Sequence, residues 1–167
     1  MRGEDRTEPP YVGDERAVLT GFLDFHRDTL EWKCAGLTSE QMRERAVGPS
    51  SLSLLGLVRH LADVERGWFR RGVAGEDATP LFYSDNDRDG DFDNVGTADV
   101  DEAFAAWRAE VTRAREITAA ASLDDTFTRR DQEISMRWVL VHMIEEYARH
   151  NGHADFIRER IDGATGE

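Results

Sequence analysis

The sequence predicts an all-α protein, and three observations support that fold class. Four long stretches place apolar residues three and four positions apart, the spacing of one face of an α-helix. Residues typical of helix N-caps precede these stretches, and no alternating apolar–polar pattern of useful length predicts a strand. With 40% hydrophobic residues, the 167-residue chain can bury the core of one domain. Four long helices predict a bundle.

The N-terminal residues 1–12 are predicted to form a flexible arm, followed by a single domain over residues 13–167. The arm is charged and contains Pro9 and Pro10, so it lacks the apolar centre of a signal peptide. No apolar run approaches the roughly 20 residues that cross a membrane. The sequence therefore predicts a cytoplasmic protein.

The first half of the chain is predicted to contain two long helices with one short helix between them. The long helix is predicted from about Asp14, its N-cap, to about Ala35, and Gly36 ends it. Thr38 and Gln41 have the spacing of a capping box and predict a short helix after it. The second long helix is predicted from Ser51 or Ser53 to about Arg71.

A long loop, residues 72–98, is rich in aspartate and glycine and separates the second and third long helices. The third long helix is predicted from about Asp99 to Ala121. Residues 122–133 are polar and predicted to be turns. The fourth long helix is predicted from Ser135, its cap, to about Ile161, and Gly152 interrupts its pattern without ending it.

One stripe of the fourth long helix has the composition of a metal site. At about 100° per residue, it carries three imidazoles and a carboxylate within roughly 80°, namely His142, Glu146, His150 and His153. Glu146 and His150 are four residues apart and can reach a single cation. His60, beside the apolar face of the second long helix, is the candidate third ligand.

Two histidines and one carboxylate are a ligand set used by zinc and by non-haem iron. Three protein ligands leave a position open for water or substrate, as in catalytic sites. The alternative is that these are surface or core histidines that share a helix face by chance. His142 and His153 are predicted to support the ligands from outside the coordination sphere, or to lie at the surface.

Charge and cysteine content exclude several functions. The net charge of −13 argues against binding nucleic acid or anionic membranes, which both require a basic surface. The single cysteine, Cys34, has no partner for a disulfide within the chain. Its place in a helical pattern favours a buried, small apolar role over a reactive thiol.

The acidic segment 85–93 resembles the beginning of a calcium-binding EF-hand loop. Its aspartates occupy loop positions one, three, five and nine, and Gly90 occupies position six. Position twelve requires a bidentate glutamate, but Gly96 stands there. We therefore expect a solvated acidic loop, with a lid over the end of the bundle as the alternative.

Three further residues are candidates for contact with substrate. Arg59 and Arg149 each adjoin a proposed ligand and have the fork geometry that binds carboxylates, although ion pairs within the protein are the alternative. His26 lies near the apolar stripe of the first long helix, where a core or rim histidine is the alternative to proton transfer.

Two segments carry a resemblance to a known family. Residues 57–65, with His60 at their centre, look like the second-helix motif of the DinB-like (YfiT-like) four-helix bundles, and residues 150–153 resemble their fourth-helix motif. Such proteins usually bind a divalent metal with one histidine from the second helix and two from the fourth. His60 and His150 match two of these ligands, and Glu146 stands where most members have histidine.

A glutamate at position 146 resembles the mycothiol-dependent branch of these bundles, which includes maleylpyruvate isomerase and holds zinc with His, Glu and His. Over residues 14–162 the chain looks most similar to an uncharacterised group once labelled mini-circle proteins. The resemblance implies a DinB-like four-helix bundle with a long acidic loop between the second and third long helices. It also implies metal ligation by His60, Glu146 and His150, with zinc favoured over nickel, iron or manganese because the ligation is mixed and needs no redox change.

The function implied by the resemblance is that of a divalent-metal-dependent transferase or isomerase. Its co-substrate would be a low-molecular-weight thiol, with mycothiol as the candidate, activated as a metal-bound thiolate that attacks a small-molecule substrate. A homodimer is also expected. The alternatives are a non-catalytic metal-binding stress or interaction protein, and a metal-assisted hydrolase.

Overall fold

In the computed structural model, which describes residues 6–166, four long helices form the body of the protein. In chain order the α-helices are α1 (Glu15–Cys34), α2 (Ser39–Arg43), α3 (Leu54–Glu65), α4 (Gly90–Asp93), α5 (Val100–Ala120) and α6 (Met136–Asp162). Helix α1 packs against α6, and α3 packs against both α5 and α6. The predicted all-α bundle is confirmed. None of the described helices combines the length and apolar composition that crossing a membrane requires.

The predicted N-caps of the long helices are confirmed. Each cap side chain accepts a hydrogen bond from the backbone N–H three residues later, at distances of 2.8 to 3.2 Å, and the caps are Asp14, Ser53, Asp99 and Ser135. Gly36 has a φ of +77°, which glycine adopts without strain, and it follows the end of α1. Helix α6 continues through Gly152, as the sequence predicts.

Helix α3 continues as a π-helical segment, Arg66–Val73, where the sequence predicted a regular helix. Two glycines in this segment allow close approach of other groups. A Cβ at Gly67 would lie 2.9 Å from Arg71 Nη2, and a Cβ at Gly72 would lie 3.0 Å from the Phe127 ring. Apolar periodicity does not distinguish this local change of pitch, which is often found at functional sites.

The polar region predicted as turns contains a small β-hairpin, so the expectation of no strand is wrong here. Strands β1 (Thr126–Arg129) and β2 (Gln132–Ser135) pair antiparallel, with Phe127 opposite Ile134. The turn residues Arg130 and Asp131 have φ values of 51° and 63°. Glycine and asparagine are the residues that usually occupy this left-handed region in hairpin turns. Four-residue strands with few apolar positions are too short to show a clear alternation.

The acidic loop is only partly solvated. Residues 85–89 are exposed, as expected, but Asp91 in α4 is only 4% exposed. Arg59 holds α4 against α3, because its guanidinium donates to the backbone oxygens of Gly90 and Asp91, both at 3.0 Å. Within residues 6–166 the loop carboxylates form no group that converges on a cation position.

Residues 1–5 of the predicted arm lie outside the described residues, and the arm from Arg6 onward contacts α1. The Arg6 guanidinium lies over the rings of Phe25 and Trp32 and donates to Thr29 Oγ1 at 3.0 Å. At the end of the same helix, Cys34 is buried, and burial raises its pKa to about 12. The predicted inert, buried cysteine is confirmed.

A buried hydrogen-bond network connects all four long helices. Arg27 of α1 donates two bonds of 2.8 Å to the carboxylate of Glu65 in α3. Tyr147 of α6 donates to the same carboxylate at 2.8 Å and accepts a 2.8 Å bond from the indole N–H of Trp107 in α5. Because Tyr147 follows Glu146 directly, this network fixes the rotation of α6 and thereby the direction of the predicted metal ligands.

Candidate metal centre

The three predicted metal ligands come together between α3 and α6. His60 belongs to α3, and Glu146 and His150 lie one turn apart on α6. One potential donor atom from each lies within 4.8 Å of the other two. His150 is 8% exposed, and the other two are half-buried. The group is therefore shielded from bulk water yet reachable from one side.

The His60 ring is oriented by Asp91, a residue that no pattern in the sequence singled out. The Asp91 Oδ2 atom lies 2.8 Å from His60 Nδ1, and Phe92 stacks on the ring with centroids 4.8 Å apart. Because Asp91 engages Nδ1, the Nε2 lone pair remains for a cation. Carboxylates that hold histidine ligands in this way fix the tautomer and increase ligand basicity.

His153 lies next to His150, as Asp91 lies next to His60. The two Nδ1 atoms lie 3.4 Å apart, and His150 Nε2 lies 3.5 Å from Glu146 Oε2. Burial, together with the charges of His150 and Arg149, lowers the pKa of His153 and favours its neutral form. The Nδ1 atom of a neutral His153 can accept a hydrogen bond from His150 Nδ1–H, which leaves His150 Nε2 unprotonated and directed at the cluster.

His142 contacts the third candidate ligand. Its Nε2 lies 3.4 Å from Glu146 Oε1, and its ring contacts the indoles of Trp68 and Trp138 at centroid distances of 4.7 and 4.8 Å. A protonated His150, which can donate from Nε2 to Glu146, lowers the pKa of this carboxyl group. Burial opposes the shift, and the charges of His142, His150 and His60 add to it when these histidines are protonated. Glu146 is therefore a carboxylate at neutral pH.

These residues fit a divalent cation. Two imidazoles and one ionised carboxylate supply three donors of the kind that zinc binds, and each imidazole has its other ring nitrogen engaged. Within residues 6–166 Glu146 pairs with His142 and His150 and with no lysine or arginine. Three donors leave at least one coordination position for an exogenous ligand, which is the arrangement of a catalytic site rather than a structural one.

A cavity of about 240 Å³ lies beside His60 and provides room for a ligand. Trp68 and Arg129 line this cavity and also a second one of about 480 Å³, which extends over the β-hairpin. Trp138 lines the second cavity and is 48% exposed. The candidate centre is thus not sealed by its neighbouring aromatic residues.

The three residues predicted as substrate contacts do not line the cavity that contains His60. Arg59 is committed to the backbone of α4, and Arg149 pairs with Glu145 at 2.6 Å on the exposed face of α6. His26 lines a groove on α1 near the N-terminal arm, and its backbone oxygen accepts a 3.0 Å bond from Asn151. Their contact with substrate stays a prediction.

Replacing Asp91 by asparagine is expected to weaken zinc binding about 10- to 100-fold without unfolding the protein, because His60 loses a charged partner. Competition with a chromophoric zinc chelator measures the dissociation constant. Asp93→Asn, an exposed change in the same helix, is the control and should bind zinc as the wild type does. Equal affinities for the two variants would show that Asp91 has no role at the centre.

Comparisons with known proteins find similarity over nearly the whole chain. Residues 18–163 match the sequence profile of the family described as Mycothiol-S-transferase. The crystal structure of a conserved protein from Enterococcus faecalis is similar, with a TM-score of 0.65 and 16% identity, over 92% of this chain and 100% of that chain. At this identity the likeness shows the fold alone. No curated protein matches the chain.

Proposed function

Because the chain belongs to the mycothiol S-transferase family, we propose that it joins a low-molecular-weight thiol to a small electrophile in a metal-dependent reaction. Membership of this family, which is DinB-like, also confirms the resemblance inferred from the motifs. Mycothiol is the proposed thiol. The observation that supports the proposal most strongly is the convergence of His60, Glu146 and His150, of which His60 also lines an open cavity.

The proposed cofactor is one divalent ion held by His60, Glu146 and His150. When bound, such an ion lowers the pKa of a thiol at its open position and so supplies a thiolate near neutral pH. Zinc is proposed over nickel, iron and manganese because the donors are mixed nitrogen and oxygen and the reaction needs no change of oxidation state.

The protein contributes orientation and exclusion of water. Asp91, His153 and His142 hold the three donors in fixed directions. Trp68 forms an apolar wall of both cavities next to this cluster. In the net reaction the S–H bond of the thiol breaks, a sulfur–carbon bond forms, and the leaving group departs with its electron pair. An isomerase would regenerate the thiol in a second step.

The competing functions differ in testable ways. A non-catalytic metal-binding protein would need no cavity beside the ligands, and the open cavity next to His60 favours an enzyme. A metal-assisted hydrolase would use the same donors but turn over without thiol. The homodimer and the cytoplasmic location stay predictions.

The proposal predicts thiol-dependent turnover by the zinc-loaded protein. We expect mycothiol to be consumed with chlorodinitrobenzene, a general thiol acceptor, faster than in the absence of protein. His60→Ala should reduce the rate to the uncatalysed level, because it removes one ligand. Glutathione in place of mycothiol tests selectivity for the thiol. Metal-loaded protein that consumes no thiol with this acceptor, or with its carboxylated analogue, would contradict the proposal.

A further inference from the structure

Unpaired positive charge surrounds the cavity beside His60 and the larger cavity that adjoins it. Four arginines line these cavities, namely Arg71, Arg88, Arg129 and Arg130. None of the four forms an ion pair with a carboxylate among residues 6–166, whereas the nearby Arg66 and Arg70 both pair with Glu110, at 2.5 and 3.2 Å. In a chain with a net charge of −13, arginines without an acidic partner are unexpected.

Two of these arginines have buried N–H groups without a partner. The Arg129 guanidinium lies 3.9 Å from the centre of the Trp68 ring, and Arg71 Nη2 donates to the Tyr83 hydroxyl at 3.1 Å. Arg129 Nη1 and Arg71 Nε are buried and have no hydrogen-bond acceptor among residues 6–166. Leaving a buried donor unsatisfied is costly, and natural proteins usually provide an acceptor from the protein or a ligand.

The acidic residues of the same cavity are engaged elsewhere. Asp63 accepts hydrogen bonds from the backbone N–H groups of Leu81 and Phe82, at 2.7 and 2.8 Å. Asp91 is bonded to His60. The adjoining larger cavity is also lined by Glu133, which is exposed. Within residues 6–166 none of these three carboxylates forms an ion pair with Arg71 or Arg129.

Both guanidinium groups belong to residues that line the cavity beside His60. Burial lowers the pKa of Arg129, and the charges of Arg130 and Arg71 lower it further, so these positive groups repel one another in the free protein. Gly67 leaves the space that Arg71 occupies, since a Cβ there would lie 2.9 Å from Arg71 Nη2. An anion between the guanidinium groups would relieve this repulsion.

We infer that Arg71 and Arg129 form a subsite for the carboxylate of the electrophilic substrate, with Trp68 and Trp138 in contact with its apolar part. Arginine binds carboxylates through two parallel hydrogen bonds, and the unpaired N–H groups provide the donors. The subsite lines the same cavity as His60, so a bound carboxylate would hold the electrophile beside the metal centre. The identification of the ligand as the electrophile rests on the proposed function, but the anion subsite does not.

A matched pair of ligands tests the subsite without any thiol. Para-nitrobenzoate and para-nitrobenzamide differ in charge but scarcely in shape, and both quench tryptophan fluorescence. The wild type should bind the benzoate about tenfold or more tightly than the benzamide. Hydrogen bonds from arginine to a charged carboxylate are stronger than those to a neutral amide. Arg129→Gln and Arg71→Gln should each lose most of this preference while binding of the benzamide changes little.

Three controls isolate the contribution of the two guanidinium groups. Arg160→Gln, an exposed change on α6 with the same loss of charge, should keep the preference. Arg129→Lys keeps the positive charge but lacks the planar guanidinium that forms two parallel hydrogen bonds, so it should retain part of the preference for the benzoate. Metal-free protein should also keep the preference, because the arginines and not the ion bind the carboxylate.

Equal binding of the two ligands to the wild type would overturn the inference. So would a preference that survives in both glutamine variants, or one that disappears when the metal is removed. The outcome is independent of the proposed function, since it requires no turnover. A preserved preference for the benzoate together with no thiol-dependent activity would leave the subsite standing and reject the transferase.

Discussion

Glu65→Ala is expected to lower the free energy of unfolding by about 3–5 kcal/mol, because it leaves the buried Arg27 guanidinium without its bidentate partner. Burial opposes the charged form of Arg27, but the charge and hydrogen bonds of Glu65, together with the charges of Tyr147 and Asp24, outweigh it and raise the Arg27 pKa. Tyr147 also loses its acceptor. Urea denaturation followed by far-UV circular dichroism measures the effect.

The control for this prediction is Glu116→Ala, which removes an exposed carboxylate paired with Arg113 on the surface of α5. Its effect should be small, because solvent screens exposed pairs. Replacing both buried partners, with Arg27→Met and Glu65→Leu together, should recover much of the loss, since no charge is then left buried. If Glu65→Ala and Glu116→Ala were equally stable, the network would not be what holds the four helices in register.

His60→Ala and His150→Ala are each expected to remove most of the bound metal, because two remaining donors cannot hold a divalent ion against a mild chelator. His142→Ala and His153→Ala should retain much of it, since these histidines contact ligands and do not complete the set. Elemental analysis after dialysis measures the metal per chain.

The four alanine variants control for one another, because each removes one imidazole from the same region. Far-UV circular dichroism establishes that all four are folded before metal is measured. Equal metal loss in all four would show that the assignment of three ligands is wrong. Metal retention in His60→Ala would show that the ion does not bridge α3 and α6.

The fold could be predicted largely from local chemistry in the sequence. Caps such as Asp14 and Ser53 and the apolar spacing of the long helices are properties of residues close together in the chain. The π-helical segment and the hairpin were missed because both depend on tertiary contacts. Phe127, for example, packs onto Gly72 from a strand more than fifty residues later in the chain.

The site was predictable only in part. Glu146 and His150 share a helix face, and a motif indicated His60, so the three donors could be brought together from sequence. Asp91 is 31 residues from His60, and no spacing rule joins them. Arg59 and Arg149 do not line the cavity beside His60, because neighbouring residues of a helix point about 100° apart, and their contact with substrate stays a prediction.

X-ray absorption at the zinc edge would show whether a metal held by His60, Glu146 and His150 takes a thiol ligand. Without thiol we expect only nitrogen and oxygen neighbours at about 2.0–2.2 Å, because no cysteine belongs to the donor group. With mycothiol one sulfur neighbour should appear at about 2.3 Å. A spectrum unchanged by saturating mycothiol, or sulfur present before it is added, would contradict the account.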